Sequence, residues 1–174
     1  MRRLPSSAAR SSFFRHYLPD LVYGANDGII TTFAVVSGVV GANLSERIIL
    51  ILGFANLIAD GFSMGASNFL ARRSYADADE RADHSEAFRH GFATFVGFII
   101  AGMVPLVAYI APMSEDVRFP VAIALTLSTL YVVGSSRAFV THLGWIRSGL
   151  EMLFVGALAA AVAYSIGALA SSLT

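Results

Sequence analysis

The chain has 174 residues, 56% of them hydrophobic and only 14% charged, with equal numbers of acidic and basic side chains. Soluble domains carry about 25% charged residues, so this balance, with a mean hydropathy of +0.66, points to an integral membrane protein. Cysteine is absent, which excludes disulfides, thiolate metal sites and cysteine nucleophiles.

Residues 1–17, MRRLPSSAARSSFFRHY, are basic, serine-rich and free of acids. They read as a cytoplasmic tail with an amphipathic segment near Ser11 to Leu18. A transit peptide or signal sequence is the alternative. It lacks a clean apolar stretch with a cleavage site, because the next apolar run contains Asp20, Asn26 and Asp27. Residues 18–174 are predicted to form one all-α, polytopic membrane domain of five spans. A span needs about 20 apolar residues, and five windows qualify: Leu21–Ala42, Arg47–Leu70, Gly91–Ala111, Phe119–Ser136 and Leu150–Ser171. None shows the sustained alternation of a membrane strand. Pro105 lies inside the third window and is expected to kink it.

Arginine sets the predicted orientation. Arg2, Arg3, Arg10 and Arg15 lie before the first span, Arg72, Arg73, Arg81 and Arg89 after the second, and Arg137 and Arg147 after the fourth. The intervening connections hold only Arg47 and Arg118. Positive charge stays in the cytoplasm, so the N-terminus and the connection at about 72–90 are expected there and the C-terminus outside. Glycines in the first two spans (Gly24, Gly28, Gly38, Gly41, Gly61 and Gly65) permit close helix approach. Five helices are few to enclose a pore, so a symmetric homodimer is expected to supply the missing walls.

Ionisable groups at membrane depth cost several kcal/mol and mark ion or proton pathways. In the second span Asn56, Asp60 and Met64 recur every four residues, with Asn68 continuing the row, which places them on one helix face. Asp27 and Thr31 are one turn apart in the first span. Carboxylate and amide oxygens with a thioether suit a divalent transition ion such as Fe2+ or Mn2+. The plainer readings are that Met64 is packing and that asparagine or aspartate near a helix end is a cap. In the hydrophilic connection, Glu80/His84 and Glu86/His90 are at i, i+4, a spacing that two metal ligands can share. They read as a solvated helix face or as a weak cytoplasmic ion-collecting patch. Trp145 and Arg147 read as interface anchors, and Glu151 as a favourable charge near a helix N-terminus. No spacing signals a nucleophile with its base, so no enzyme is predicted. Neither a prosthetic group nor a nucleic-acid partner is expected.

The segments GANDGIITTFAVVSGVVGA and ILGFANLIADGFSMGASNFLARRS resemble the vacuolar iron transporter family, and GWIRSGLEMLFVGALAAAVAYSIG is similar to that family's last membrane helix. The likeness runs from about Leu18 to Gly167. It implies a dimer of five-helix subunits that moves Fe2+, and in some members Mn2+, out of the cytosol in exchange for protons. It implies a path at the subunit interface using the aspartate of the DG motif and the methionine of the SMG motif, here Asp27 and Met64. Longer members insert a helical metal-binding domain rich in Glu and Met between the second and third membrane helices. This chain has only the short connection there, without methionine. Asn56 stands where iron-transporting plant members have glutamate, which keeps Mn2+ beside Fe2+ as the expected cargo.

The expected function is therefore proton-coupled export of Fe2+ or Mn2+. The expected location is the inner membrane of a bacterial cell, or a vacuolar-type membrane in a eukaryote. The alternatives are a non-transporting scaffold or metal sensor that keeps the helices, and a carrier of another small cation or solute.

Overall fold

In the computed structural model, residues 7–78, 84–139 and 144–173 are described, with side chains over 16–75, 85–139 and 144–173. They form five α-helices: α1 (Ser7–Gly41), α2 (Glu46–Ala78), α3 (His84–Ile110), α4 (Glu115–Ser136) and α5 (Trp145–Leu173). A 3-10 turn, Arg137–Phe139, follows α4, and no strand occurs among the described residues. Each predicted span falls on one helix, to within a residue at its end.

The helices outrun their apolar windows. α1 is 35 residues long and α2 33; at 1.5 Å per residue each is about 50 Å, against a hydrocarbon core of about 30 Å. The amphipathic segment near Ser11 to Leu18 is the first part of α1 itself, and the helix continues through Pro19. α3 also runs unbroken through Pro105, whose ring is buried in the core. A proline removes one i→i−4 bond, and in a bundle neighbouring helices hold the backbone in place around the gap.

The end of α1 is set by local chemistry. Leu44 N–H donates to the Val39 carbonyl at 3.1 Å and Asn43 N–H to Val40 at 3.0 Å. Asn43 adopts φ 54°, the single left-handed non-glycine residue described. This is the Schellman arrangement, in which asparagine stands in for glycine at the left-handed position. The chain then turns within a few residues into α2.

α1 packs on all four other helices, most extensively on α3 and then α5. α2 lies at one edge against α3 and α1, while α4 and α5 pair on the other side. Phe33, Val36, Ile49, Leu57, Phe98 and Leu106 centre the main apolar core. Close approach depends on missing side chains. A methyl group at Gly24 or Gly28 would collide with the main chain of Thr94 or Phe98, and one at Gly97 with that of Leu21. Gly41 meets Tyr164 of α5 in the same way, and Gly61 and Gly65 pack on α3. The close helix approach expected of these glycines is thus made between helices of one chain.

α2, α3, α5 and α4 with its 3-10 extension are long and apolar enough to cross a membrane. α1 does not meet that measure by composition. It packs on all four other helices, and Asp20, Thr32 and Ser37 along it are buried against protein. The outward faces of α2 and α5 carry exposed Ile51, Leu52, Ile58, Phe62, Phe154 and Leu158. Apolar surface on that scale belongs in lipid; the chain is an integral membrane protein.

Candidate functional site

Two polar zones lie along the contact between α1 and α2, and the antiparallel register of these helices connects them. At the arginine-rich end, Asn68 Nδ2 of α2 donates to Asp20 Oδ1 of α1 at 2.8 Å, and Arg72 Nη2 donates to the same oxygen at 3.1 Å. Two turns farther along α1 is Asp27, and about two turns back along α2 is Asp60. Both are half-buried, and the contact of Asp20 with Asn68 sets them at a similar level on the two antiparallel helices. Like charges in a poorly solvated region repel strongly. A cation held between them removes the repulsion.

An unsatisfied amide, Asn56, lies one turn from Asp60 on α2, and a second, Asn26, lies on the side of α1 toward α5. Asn26 Oδ1 and Asn56 Nδ2 are buried and have no hydrogen-bond partner. Leaving such atoms unpaired costs about 1–3 kcal/mol each, a penalty that a transient ligand can offset. The oxygen and nitrogen of an asparagine amide exchange places by rotation, so Asn56 is able to present either. Thr31 Oγ1 donates to the Asp27 carbonyl at 2.8 Å. That spends its hydrogen on the helix backbone and leaves its lone pairs free. Met64, part of the same α2 row, is half-buried and packs against the main apolar core. The structure thus sets Asp27 and Asp60 at a similar level on facing helices, gives Thr31 a local bond, and assigns Met64 packing contacts.

The residues predicted as an ion-collecting patch divide. Glu80, and the side chain of His84, lie outside the described residues. Glu86 is exposed, with Oε1 2.7 Å from His16 Nε2. His90 is not on a solvated face: it is 3% exposed, and its Nδ1 lies 2.5 Å from Asp20 Oδ2. The reason is its place on α3, one turn before Thr94, on the side that meets α1. Asn68 Nδ2 also donates to Thr94 Oγ1 at 2.7 Å, which joins α1, α2 and α3 in one buried network.

Sequence reasoning passed over the hub of this network. Asp20 entered only as a residue that spoils a signal peptide. A usable signal existed: Asp20 precedes Asp27 by seven residues, two helical turns, and so shares its face. Its partners lie 48 to 70 residues away in sequence, and although Asn68 and His90 stood out on other grounds, nothing local joined them to Asp20.

A helical membrane bundle with two half-buried carboxylates and an open amide valence along the contact of two of its helices has the makings of an ion-handling protein. The VIT family model matches residues 18–87 and 76–168, and the chain belongs to that family. Among similar proteins are the vacuolar iron transporter of Plasmodium berghei, 25% identical over 95% of this chain and 86% of its own length, and vacuolar iron transporter 1 of Arabidopsis thaliana, 23% identical over 83% and 82%. Vacuolar iron transporter homolog 1 of Oryza sativa subsp. japonica is 29% identical over 86% of this chain and 72% of its own length. The Plasmodium alignment spans 236 positions, whereas 95% of 174 residues is about 165, so about 70 positions have no counterpart here. The rice alignment spans 171 positions against about 150 residues, a gap of about 20. The two family matches meet at 76–87, in the connection between α2 and α3.

Proposed function

We propose that the protein carries a divalent transition ion, Fe2+ or Mn2+, out of the cytosol in exchange for protons. The observation that carries this reading is the half-buried Asp27 and Asp60 on facing helices, with the unpaired amide of Asn56 one turn from Asp60. Membership of a family whose relatives are named iron transporters supports metal as the cargo. Two carboxylates with amide oxygens form a hard-to-borderline donor set suited to these ions, and a carboxylate that releases a metal can accept a proton in its place. The distribution of arginine supports an N-terminus in the cytoplasm, so the network of Asp20 lies toward the metal source.

We further propose that the working unit is a homodimer. The outward face of α2 supports this. Beside half-buried Asp60 it exposes Ala55, Ala59, Ser63 and Ser67, a small and partly polar strip in a helix otherwise rich in Ile, Leu and Phe. Small and hydroxyl-bearing strips suit another helix better than lipid, and a second copy of α2 would close the open side of the Asp27–Asp60 pair.

Flux into proteoliposomes, with Fe2+ or Mn2+ supplied on one side and a pH-sensitive dye trapped inside, tests the transport reading. Metal movement accompanied by opposite proton movement is expected, with Asp27→Ala reducing it at least tenfold. Equal flux in that variant and the wild type overturns the role of Asp27. Absence of flux for every divalent ion tried favours the non-transporting reading, in keeping with the missing insertion.

A further inference from the structure

At the arginine-rich end, His16 of α1 and Glu86 and His90 of α3 point their ligand atoms at one another, all within 4.8 Å. His16 Nε2 is 2.7 Å from Glu86 Oε1 and 3.2 Å from His90 Nε2. We propose that these three side chains form a binding site for one divalent first-row transition ion, separate from the Asp27–Asp60 pair. The site stands whether or not the protein transports the ion.

Three observations support it. The first is geometry. Two nitrogens about 2.0–2.1 Å from one tetrahedral ion are about 3.3 Å apart, close to the 3.2 Å separation of the two imidazole nitrogens. Two neutral imidazoles otherwise meet this closely only when one donates to the other. The 2.7 Å contact of His16 with Glu86 is the length of a hydrogen bond, so His16 Nε2–H is shared with that carboxylate until an ion replaces the hydrogen. The second is the surrounding shell. His90 Nδ1 faces Asp20 Oδ2 at 2.5 Å, and that carboxylate is itself fixed by Asn68 and Arg72. In the neutral ring Nδ1 is then the donor, and Nε2 turns its lone pair toward His16 and Glu86. Carboxylate–histidine–metal relays are built in this way, and their outer carboxylate orients the ring and raises its basicity. The third is access. His90 is buried, but the side chains of His16 and Glu86 are 50% and 51% exposed. One ligand is therefore preorganised in the protein and two close on the ion from the solvent side.

Two imidazoles and one carboxylate select borderline ions: Zn2+, Co2+ and Fe2+ above Mn2+, and Mg2+ or Ca2+ hardly at all. Open coordination positions remain for water, which suits an ion that is to be released. On α1, His16, Asp20 and Asp27 fall at i, i+4 and i+11, on one face, so the site is about 16 Å along the helix from Asp27 at 1.5 Å per residue. A chain with no inserted metal-binding domain thus has a capture site of its own, assembled from the helix extensions at its arginine-rich end.

Cobalt titration of the purified full-length protein in detergent tests this, read by the visible absorption of bound Co2+ and by competition with Zn2+. An Asp27→Ala background removes one of the two intramembrane carboxylates and so breaks that pair, and one Co2+ site of mixed nitrogen and oxygen character is expected to remain. In that background His16→Ala and Glu86→Gln should each weaken Co2+ binding at least tenfold, while an equal melting temperature shows that the fold is kept. Glu86→Gln changes one exposed oxygen to nitrogen, so it serves even if His16→Ala perturbs α1. Co2+ affinity unchanged by both substitutions overturns the proposal, as does loss of all Co2+ binding in Asp27→Ala alone. Flux in the same Asp27→Ala protein is read separately, so failure of transport and failure of this site give different results.

Discussion

Asp20 accepts hydrogen bonds from Asn68 and Arg72 on one oxygen and faces His90 on the other, while only 5% exposed. A buried carboxylate is tolerable only when so fully paired, and each bond to a charged partner is worth about 1.5–3 kcal/mol. Asp20→Asn keeps the shape and removes the charge. It should lower the melting temperature in detergent, equivalent to about 2 kcal/mol, and should weaken Co2+ binding at the His16–Glu86–His90 site by about 10- to 100-fold, the usual effect of losing an outer-shell carboxylate. No change in either quantity would deny Asp20 both its structural and its positioning part. At this scale the sequence was only partly readable. Asp27 and Asp60 stood out because a charge in an apolar run is conspicuous, and both are half-buried on facing helices. His90 was noticed for its spacing from Glu86, but its burial depends on α1 lying across α3, which no local pattern encodes.

Elements were more legible than sites. All five apolar windows became helices because a membrane leaves a segment of that length no other way to satisfy its backbone. Their ends were less so: α1 begins at Ser7 and α3 at His84, outside the apolar windows, because helices continue past the bilayer where side chains from neighbouring helices pair with them. The glycines of α1 were recognised as points of close helix approach, but which helices they meet was not legible. α1 meets α3 through Gly24 and Gly28, where an added methyl group reaches main-chain atoms of Thr94 and Phe98 that cannot rotate away. Gly28→Ala should therefore cost about 1–3 kcal/mol, the price of overpacking a tight core. Thermal unfolding of the detergent-solubilised protein measures it. A melting temperature equal to wild type would mean that α1 and α3 are able to separate at that point.

At the scale of the whole molecule, the proposed dimer makes a sharp demand. With no native cysteine, Ala59→Cys and Ser63→Cys on the outward face of α2 provide clean reporters. Mild oxidation in membranes should give covalent dimers with these variants and not with a cysteine at exposed Phe154 on α5. Equal cross-linking at α2 and α5, or none at either, would remove α2 as the interface. Composition made the membrane environment plain, and the arginine pattern gave an orientation. The arrangement of helices around α1 was not legible, because each window is apolar on more than one side and periodicity does not show which side meets a neighbour.

The contact of α1 with α3 has a mechanical consequence. Where helices touch through side chains, a change of rotamer lets them slide or part; where main chain touches main chain, no such slack exists. α1 and α3 therefore behave as one rigid body, fastened by Gly24, Gly28 and Gly97. α2 is fastened to α3 in the same manner at Gly65 and Gly91, toward the arginine-rich end, but near Gly53 it rests on the flexible tip of Leu106. The half of α2 that carries Asn56 and Asp60 is thus held by side chains, Leu57 and Leu106 among them, and not by main-chain contact. Opposite it, Asp27 is held on the stiff frame.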